Sequence, residues 1–161
     1  MIRLLLVDDH PVVRTGYQRL LEQAGDISVV AQADRVDLAY AEFVAQTPDV
    51  TVTDLSMPGS GGLELIRRIL ARDASARVLV FSMHDSALLV RRAFDAGARG
   101  FLSKSSAPEK LIEAVRAVHL GQRYLSDDLS PALLERDARY EASQLDSLTA
   151  REFEIFRLLA Q

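Results

Sequence analysis

Five short apolar runs, each followed by an amphipathic helical pattern, alternate without interruption from residue 2 to residue 121. Strict alternation of this kind predicts a parallel sheet with helices on both faces. The first run, Ile2 to Val7, is apolar except for Arg3, as suits a strand covered on both sides. It ends in Asp8-Asp9-His10-Pro11, and Pro11 suits the first turn of a helix on which Val13, Tyr17, Leu20, Leu21 and Ala24 recur at helical spacing until Gly25. The second run is Ile27 to Ala33. Asp34 is expected to cap the next helix, with Val36, Ala39, Tyr40, Phe43 and Val44 inward and Thr47-Pro48 as its stop. The third run, Asp49 to Thr53, ends on Asp54 and breaks into a loop containing Pro58 and Gly59. Gly61-Gly62 lead into a helix with Leu63, Ile66, Ile69 and Leu70 inward.

The fourth run, Arg77 to Ser82, is followed by a helix opened by Ser86, carrying Ala87, Val90, Ala93 and Phe94 inward and ended by Gly97. The fifth, Gly100 to Ser103, reaches Lys104. Pro108 then starts a helix with Leu111, Ile112, Val115 and Val118 inward, closed by Gly121. The expected fold is α/β, a flavodoxin-like doubly wound (βα)5 sheet with strand order 2-1-3-4-5, over residues 1–121. Residues 122–147 carry six acids against three arginines and read as a linker with one short helix at Ser130-Pro131 through Leu134. At 148–161 a sharp helix start follows: Thr149 and Glu152 form a capping box, and Leu148 with Phe153 a hydrophobic staple.

In this strand order the first and third strands are neighbours, and ligands bind at the carboxyl ends. Asp8, Asp9 and Asp54 then meet in one crevice, where three carboxylates repel one another. A hard divalent cation with oxygen ligands relieves that repulsion, and Mg²⁺ suits it because it needs few carboxylates and leaves room for phosphate oxygens. Ser82 and Lys104 are added from the fourth and fifth strand ends. The chain has only two lysines, Lys104 and Lys110, among 19 basic residues, so a lysine here hints that a compact ammonium is wanted. Such a rim suits phosphoryl transfer to a carboxylate. Taken singly, each group has a plainer reading. Asp8, Asp9 or Asp54 could cap or solvate an element end, Ser82 could be an ordinary strand-end hydroxyl, and Lys104 a loop cation. His10, with no second histidine nearby in sequence, reads as a turn residue rather than a ligand; His84 and His119 read as surface or helix-face residues. The joint pattern of four strand ends carries the argument.

The segments Val7-Asp8-Asp9-His10-Pro11, Asp54-Leu55-Ser56-Met57-Pro58, Ser82 and Gly100-Phe101-Leu102-Ser103-Lys104 resemble the receiver domain of bacterial two-component response regulators over residues 1–121. The resemblance implies that Asp54 is the phosphoacceptor. It implies that Asp8, Asp9, Asp54 and the Ser56 backbone carbonyl hold Mg²⁺, that Lys104 and Ser82 contact the phosphoryl group, and that Ser82 and Phe101 form a switch pair. Many receivers carry proline after the lysine; here Ser105 follows, and the isomer of that bond is left open. Leu148-Thr149-Ala150-Arg151-Glu152 to Leu158-Leu159-Ala160-Gln161 resembles the first helix of a LuxR-type helix-turn-helix module, which points to a NarL/FixJ-type transcription regulator. By that resemblance the partners are a sensor histidine kinase, a second copy on phosphorylation, and DNA in the complete protein. The recognition helix is not among these residues, so the chain is expected to be a fragment or a truncation, and residues 1–161 are not expected to bind DNA specifically.

The net charge of −4 agrees with that last expectation. No apolar run has the length of a membrane span, no signal-peptide layout is seen at Met1, and cysteine is absent, all of which fit a cytoplasmic protein. Two alternatives stand beside a regulator that is not an enzyme except toward its own phosphorylation. One is a receiver-only adaptor acting by protein contacts. The other is an aspartate-nucleophile phosphohydrolase of the haloacid dehalogenase type, which would want a second acid where Ser56 stands.

Overall fold

A computed structural model describes residues 1–57, 61–126 and 129. Strands β1 (Ile2–Val7), β2 (Ile27–Ala33), β3 (Val50–Thr53), β4 (Val78–Ser82), β5 (Gly100–Ser103) and β6 (Tyr124–Leu125) alternate with helices α1 (Pro11–Gln23), α2 (Val36–Gln46), α3 (Gly61–Arg72), α4 (Ala87–Ala96) and α5 (Glu109–His119). All strand pairs are parallel and the order is β2-β1-β3-β4-β5-β6. The expected order 2-1-3-4-5 is present, with one strand added at the edge.

The side-chain alternation divides the core into two layers. Leu5, Val7, Val78, Val80 and Phe101 face α2, α3 and α4. Leu4, Leu6, Val50, Val52, Leu79, Phe81 and Leu102 face α1 and α5. Both faces of β1 are covered, which is why its sequence is nearly continuous in apolar residues rather than alternating.

Three local expectations are corrected. Asp34 does not cap α2: the N-cap is Arg35, which makes no side-chain cap bond, and α2 closes at Thr47 in the left-handed conformation at φ 45°. Val13 is exposed rather than inward, because only the second half of α1 lies against the sheet, where Leu21 is buried. Finally, Tyr124 and Leu125, in the stretch read as a linker, form β6. Gly121, at φ 83°, turns the chain back after α5. Tyr124 N–H then donates to Arg99 O at 3.1 Å and Ser126 N–H to Phe101 O at 3.3 Å. These bonds satisfy the outer edge of β5, which would otherwise present an open row of backbone groups. The loop at Pro58-Gly59, the short helix expected at 130–134 and the capped helix expected at 148–161 lie outside the described residues.

Candidate functional site at the carboxyl edge of the sheet

Val7 on β1 is in register with Thr53 on β3, so the residues that follow each strand emerge side by side. Asp8 and Asp54 are both buried, at 3% and 5% exposure, and Asp9 is half-buried. The backbone fixes both stems: Asp54 N–H donates to Val7 O at 3.1 Å and Asp8 N–H to Ala33 O at 3.0 Å. Ligand atoms from Asp8, Asp9, His10 and Asp54 all lie within 4.8 Å of one another.

Lys104 reaches into this cluster from the end of β5. Its Nζ donates to Asp8 Oδ2 at 2.6 Å and to Asp54 Oδ2 at 2.8 Å. The other oxygens are held from the chain itself: Asp8 Oδ1 accepts His10 N–H at 2.9 Å, and Asp54 Oδ1 accepts Ser56 N–H at 3.2 Å. Burial on its own pushes the Asp8 carboxyl up, but the Lys104 ammonium, the His10 N–H and the His10 ring outweigh it and hold it below its ordinary 3.8. For Lys104 burial favours the neutral amine, while the hydrogen bonds and charges of Asp54 and Asp8 overcome it and hold the ammonium above its ordinary 10.5. Both groups are therefore charged near neutral pH.

Three carboxylates still face one ammonium, which leaves two formal negative charges for a divalent cation. A separate observation points the same way. Asp9 Oδ1 is buried without a hydrogen-bond partner, although His10 Nδ1 lies 2.9 Å away, because the ring nitrogen does not meet it in hydrogen-bonding geometry. An orphaned carboxylate oxygen beside two other carboxylates is a vacancy in the hydrogen-bond count that a metal ion would fill. The donor set, all oxygen with at most one imidazole, fits Mg²⁺. His10, a turn residue by its sequence context, has its ring 3.1 Å from Asp8 Oδ1.

Several supports were invisible in the sequence. Gly62, one residue into α3, runs against the acid loop: a Cβ there would lie 2.2 Å from Asp54 O and 2.8 Å from Leu55 Cα, and Gly62 N–H donates to Leu55 O at 3.0 Å. Only glycine permits that approach. The paired glycines at the start of a helix were the available signal. Arg14, on α1, donates to the Asp8 carbonyl at 2.6 Å and to Gln32 Oε1 at 2.9 Å, tying α1 and β2 to the acidic turn. Beneath the ammonium lies the Phe81 ring, 5.6 Å from Nζ, itself packed edge-on against Tyr17.

The remaining expected residues divide. Ser82 is fully buried at the end of β4, in register with Ser103, and its Oγ accepts His84 N–H at 3.0 Å; it makes no hydrogen bond to Asp54. Phe101 is fully buried in the layer that faces α4. Ser56 is exposed, and its N–H is the group that turns toward Asp54. The Lys104–Ser105 bond is trans; no cis peptide occurs among the described residues.

A family model for the response regulator receiver domain matches residues 4–116. The response regulator UvrY of Escherichia coli strain K12 is 37% identical over 163 residues, covering all of this chain and 75% of that protein. A crystal structure of a LuxR-family two-component response regulator from Aurantimonas sp. matches with a TM-score of 0.80 at 40% identity, over 89% of this chain and 99% of that one. A structure of RcsB dimers bound to DNA matches with a TM-score of 0.76 at 25% identity, over 98% of this chain and 76% of that one. Among the described residues no helix is long and apolar enough to cross a membrane. The parallel sheet, the acids gathered at its carboxyl edge and a family match over most of the chain agree, and the chain belongs to the two-component response regulators of the NarL/FixJ type, carrying their receiver domain.

Proposed function

We propose that Asp54 receives a phosphoryl group from the phosphohistidine of a sensor histidine kinase. The observation that carries this reading is a buried Asp54 carboxylate, held at one oxygen by Lys104 and at the other by Ser56 N–H, within 4.8 Å of two further acids. An Asp54 oxygen attacks phosphorus, a new P–O bond forms, and the P–N bond to the donor imidazole breaks with its electron pair leaving on nitrogen. Asp8, Asp9, Asp54 and the Ser56 carbonyl would hold Mg²⁺, which when bound would offset the charge on the phosphoryl oxygens. Lys104 then transfers its hydrogen bonding from the Asp54 carboxylate to a phosphoryl oxygen. Ser82, whose own hydrogen is not committed to a carboxylate, leaves the His84 N–H and donates to another. Phe101, already inward against α4, is the packing element that registers this movement.

The output is control of transcription. The UvrY match, which runs through the last residues of this chain, supports it, and the RcsB dimers on DNA support a second copy and DNA as partners of the complete protein. The protein is a cytoplasmic switch rather than an enzyme, acting on its own phosphorylation only, and its phosphoacceptor unit runs from residue 1 through β6, past the boundary at 121 that the sequence suggests.

Incubation with acetyl phosphate and Mg²⁺ should add one phosphoryl group, measured by intact-protein mass, and Asp54→Asn should abolish it. Labelling that survives in Asp54→Asn overturns the assignment. Sustained turnover of phosphomonoesters would replace the regulator reading with a hydrolase.

A further inference from the structure

The two serines that flank Lys104 form a junction of their own. Ser103 is buried, and its hydroxyl donates to Asp85 Oδ2 at 3.0 Å. Ser105 Oγ lies 2.7 Å from Ser103 Oγ, and Ser105 N–H donates to the same oxygen at 3.2 Å. A carboxylate only accepts, so the Ser103 hydrogen is committed to Asp85 and Ser105 Oγ must be the donor to Ser103. One oxygen thus gathers the residue before the lysine, the residue after it, and Asp85.

Asp85 lies in the loop between β4 and α4, three residues after Ser82. The same loop holds the lysine from the backbone side, since Lys104 N–H donates to Ser82 O at 2.9 Å. The turn that aims the ammonium is therefore fastened to the Ser82 loop at two points, one backbone bond and one charge-assisted side-chain bond, the stronger kind. On its other side Ser103 N–H donates to the buried Ser126 Oγ at 3.1 Å. Ser105 borders a cavity of about 310 Å³ shared with Leu102, Ser106, Lys110, Tyr124 and Ser126. A proline after the lysine would stiffen the turn through its ring; here hydroxyls supply the constraint.

We propose that Asp85 is a positioning residue for Lys104. Through Ser103 it fixes the Ser103-Lys104-Ser105 turn and ties it to the loop that carries Ser82, so that movement of one loop is transmitted to the other. The inference rests on the phosphoryl-transfer reading for its consequence, although the hydrogen bonds themselves do not depend on it.

The test uses Asp85→Ala, Ser103→Ala, their double variant and Asp85→Asn. The rate of Asp54 labelling by acetyl phosphate with Mg²⁺ is expected to fall about tenfold in either alanine variant, as for a reacting group displaced by a fraction of an ångström. The double variant should be no slower than the slower single one, because both remove the same link. Asp85→Asn, which keeps a carbonyl acceptor, should recover most of the rate; a merely structural role would not be rescued through that one oxygen. Amide hydrogen exchange at Ser105 should accelerate in Asp85→Ala without any phosphoryl donor present. Labelling of Asp85→Ala at the wild-type rate, multiplying effects in the double variant, or unchanged Ser105 exchange would each overturn the proposal. Failure of the phosphoacceptor reading looks different: the unsubstituted chain is not labelled, or Asp54→Asn still is, while Ser105 exchange continues to decide the role of Asp85.

Discussion

The carboxyl edge of the sheet has two halves built on the same fold and held by different forces. At β1 and β3 the strand ends carry Asp8, Asp9 and Asp54, with His10 beside them, and the three carboxylates outnumber the one ammonium among them. At β4 and β5 the strand ends carry Ser82 and Ser103, bonded through His84 N–H and Ser105 within their own loops and joined across the two loops by the Ser103–Asp85 bond. Lys104 belongs by sequence to the second half and by contact to the first. The acid half carries an excess of negative charge whose field acts over several ångströms, whereas the hydroxyl half responds only within hydrogen-bond reach. One half is suited to sensing charge and the other to converting it into geometry.

Removing the Lys104 ammonium that reaches from one half into the other should have the largest effect. Lys104→Met preserves much of the volume but leaves the buried carboxylates of Asp8 and Asp54 without their cation. Breaking a buried pair in this way costs about 3–5 kcal/mol. Urea unfolding in the presence of a chelator should show a loss of that order, and added Mg²⁺ should restore part of it. Equal stability in chelator would mean that the acid half is balanced by something other than the ammonium. A smaller loss is expected from within the acid half itself. Gly62→Ala drives a Cβ into the Asp54 carbonyl, and overpacking of this kind costs about 1–3 kcal/mol. Its signature should be selective: amide chemical shifts at Asp54 and Leu55 should move while those at Ser103 and Ser105 stay in place. Equal perturbation of both halves would show that they are not mechanically distinct.

The strand ends were legible in the sequence because each is marked locally, by an apolar run that stops at a charged or hydroxyl residue. Asp8, Asp9, Asp54, Ser82 and Lys104 could all be found in that way, and strand order then brought the acids together. What lay beyond reach depends on tertiary contact. β6 is two residues long and has no periodicity to detect; it exists because β5 has an edge to satisfy. Val13 continues the helical stripe of α1 but projects past the sheet, which spacing alone cannot indicate. Asp34 is a good capping residue by type, yet the chain enters α2 one residue later, at Arg35. Gly62, Arg14 and Asp85 act on partners 6 to 18 residues away, and of the three only Gly62, in the glycine pair that opens α3, leaves a local mark in the sequence.

The smallest effect, and the finest probe of the division, is the pH dependence of the acid half in metal-free protein. Asp8 is held below its ordinary 3.8 despite burial that acts the other way. A carboxyl with a depressed folded value contributes stability that is complete above 3.8 and lost as pH falls through the folded value. Lys104, held above 10.5, contributes stability that is complete below 10.5 and lost as pH rises through its folded value. Carbon-detected titration of the Asp8 carboxyl should therefore give a midpoint below 3.8 in the unsubstituted chain. In Lys104→Met the opposing burial prevails and the midpoint should move up, which shifts the acid loss of stability to higher pH. Ser103→Ala should leave the Asp8 midpoint nearly in place if the hydroxyl half acts on the ammonium through geometry alone. A shift in Ser103→Ala as large as that in Lys104→Met would mean that Ser103 sets the charge contact itself, and the two halves would have to be treated as one.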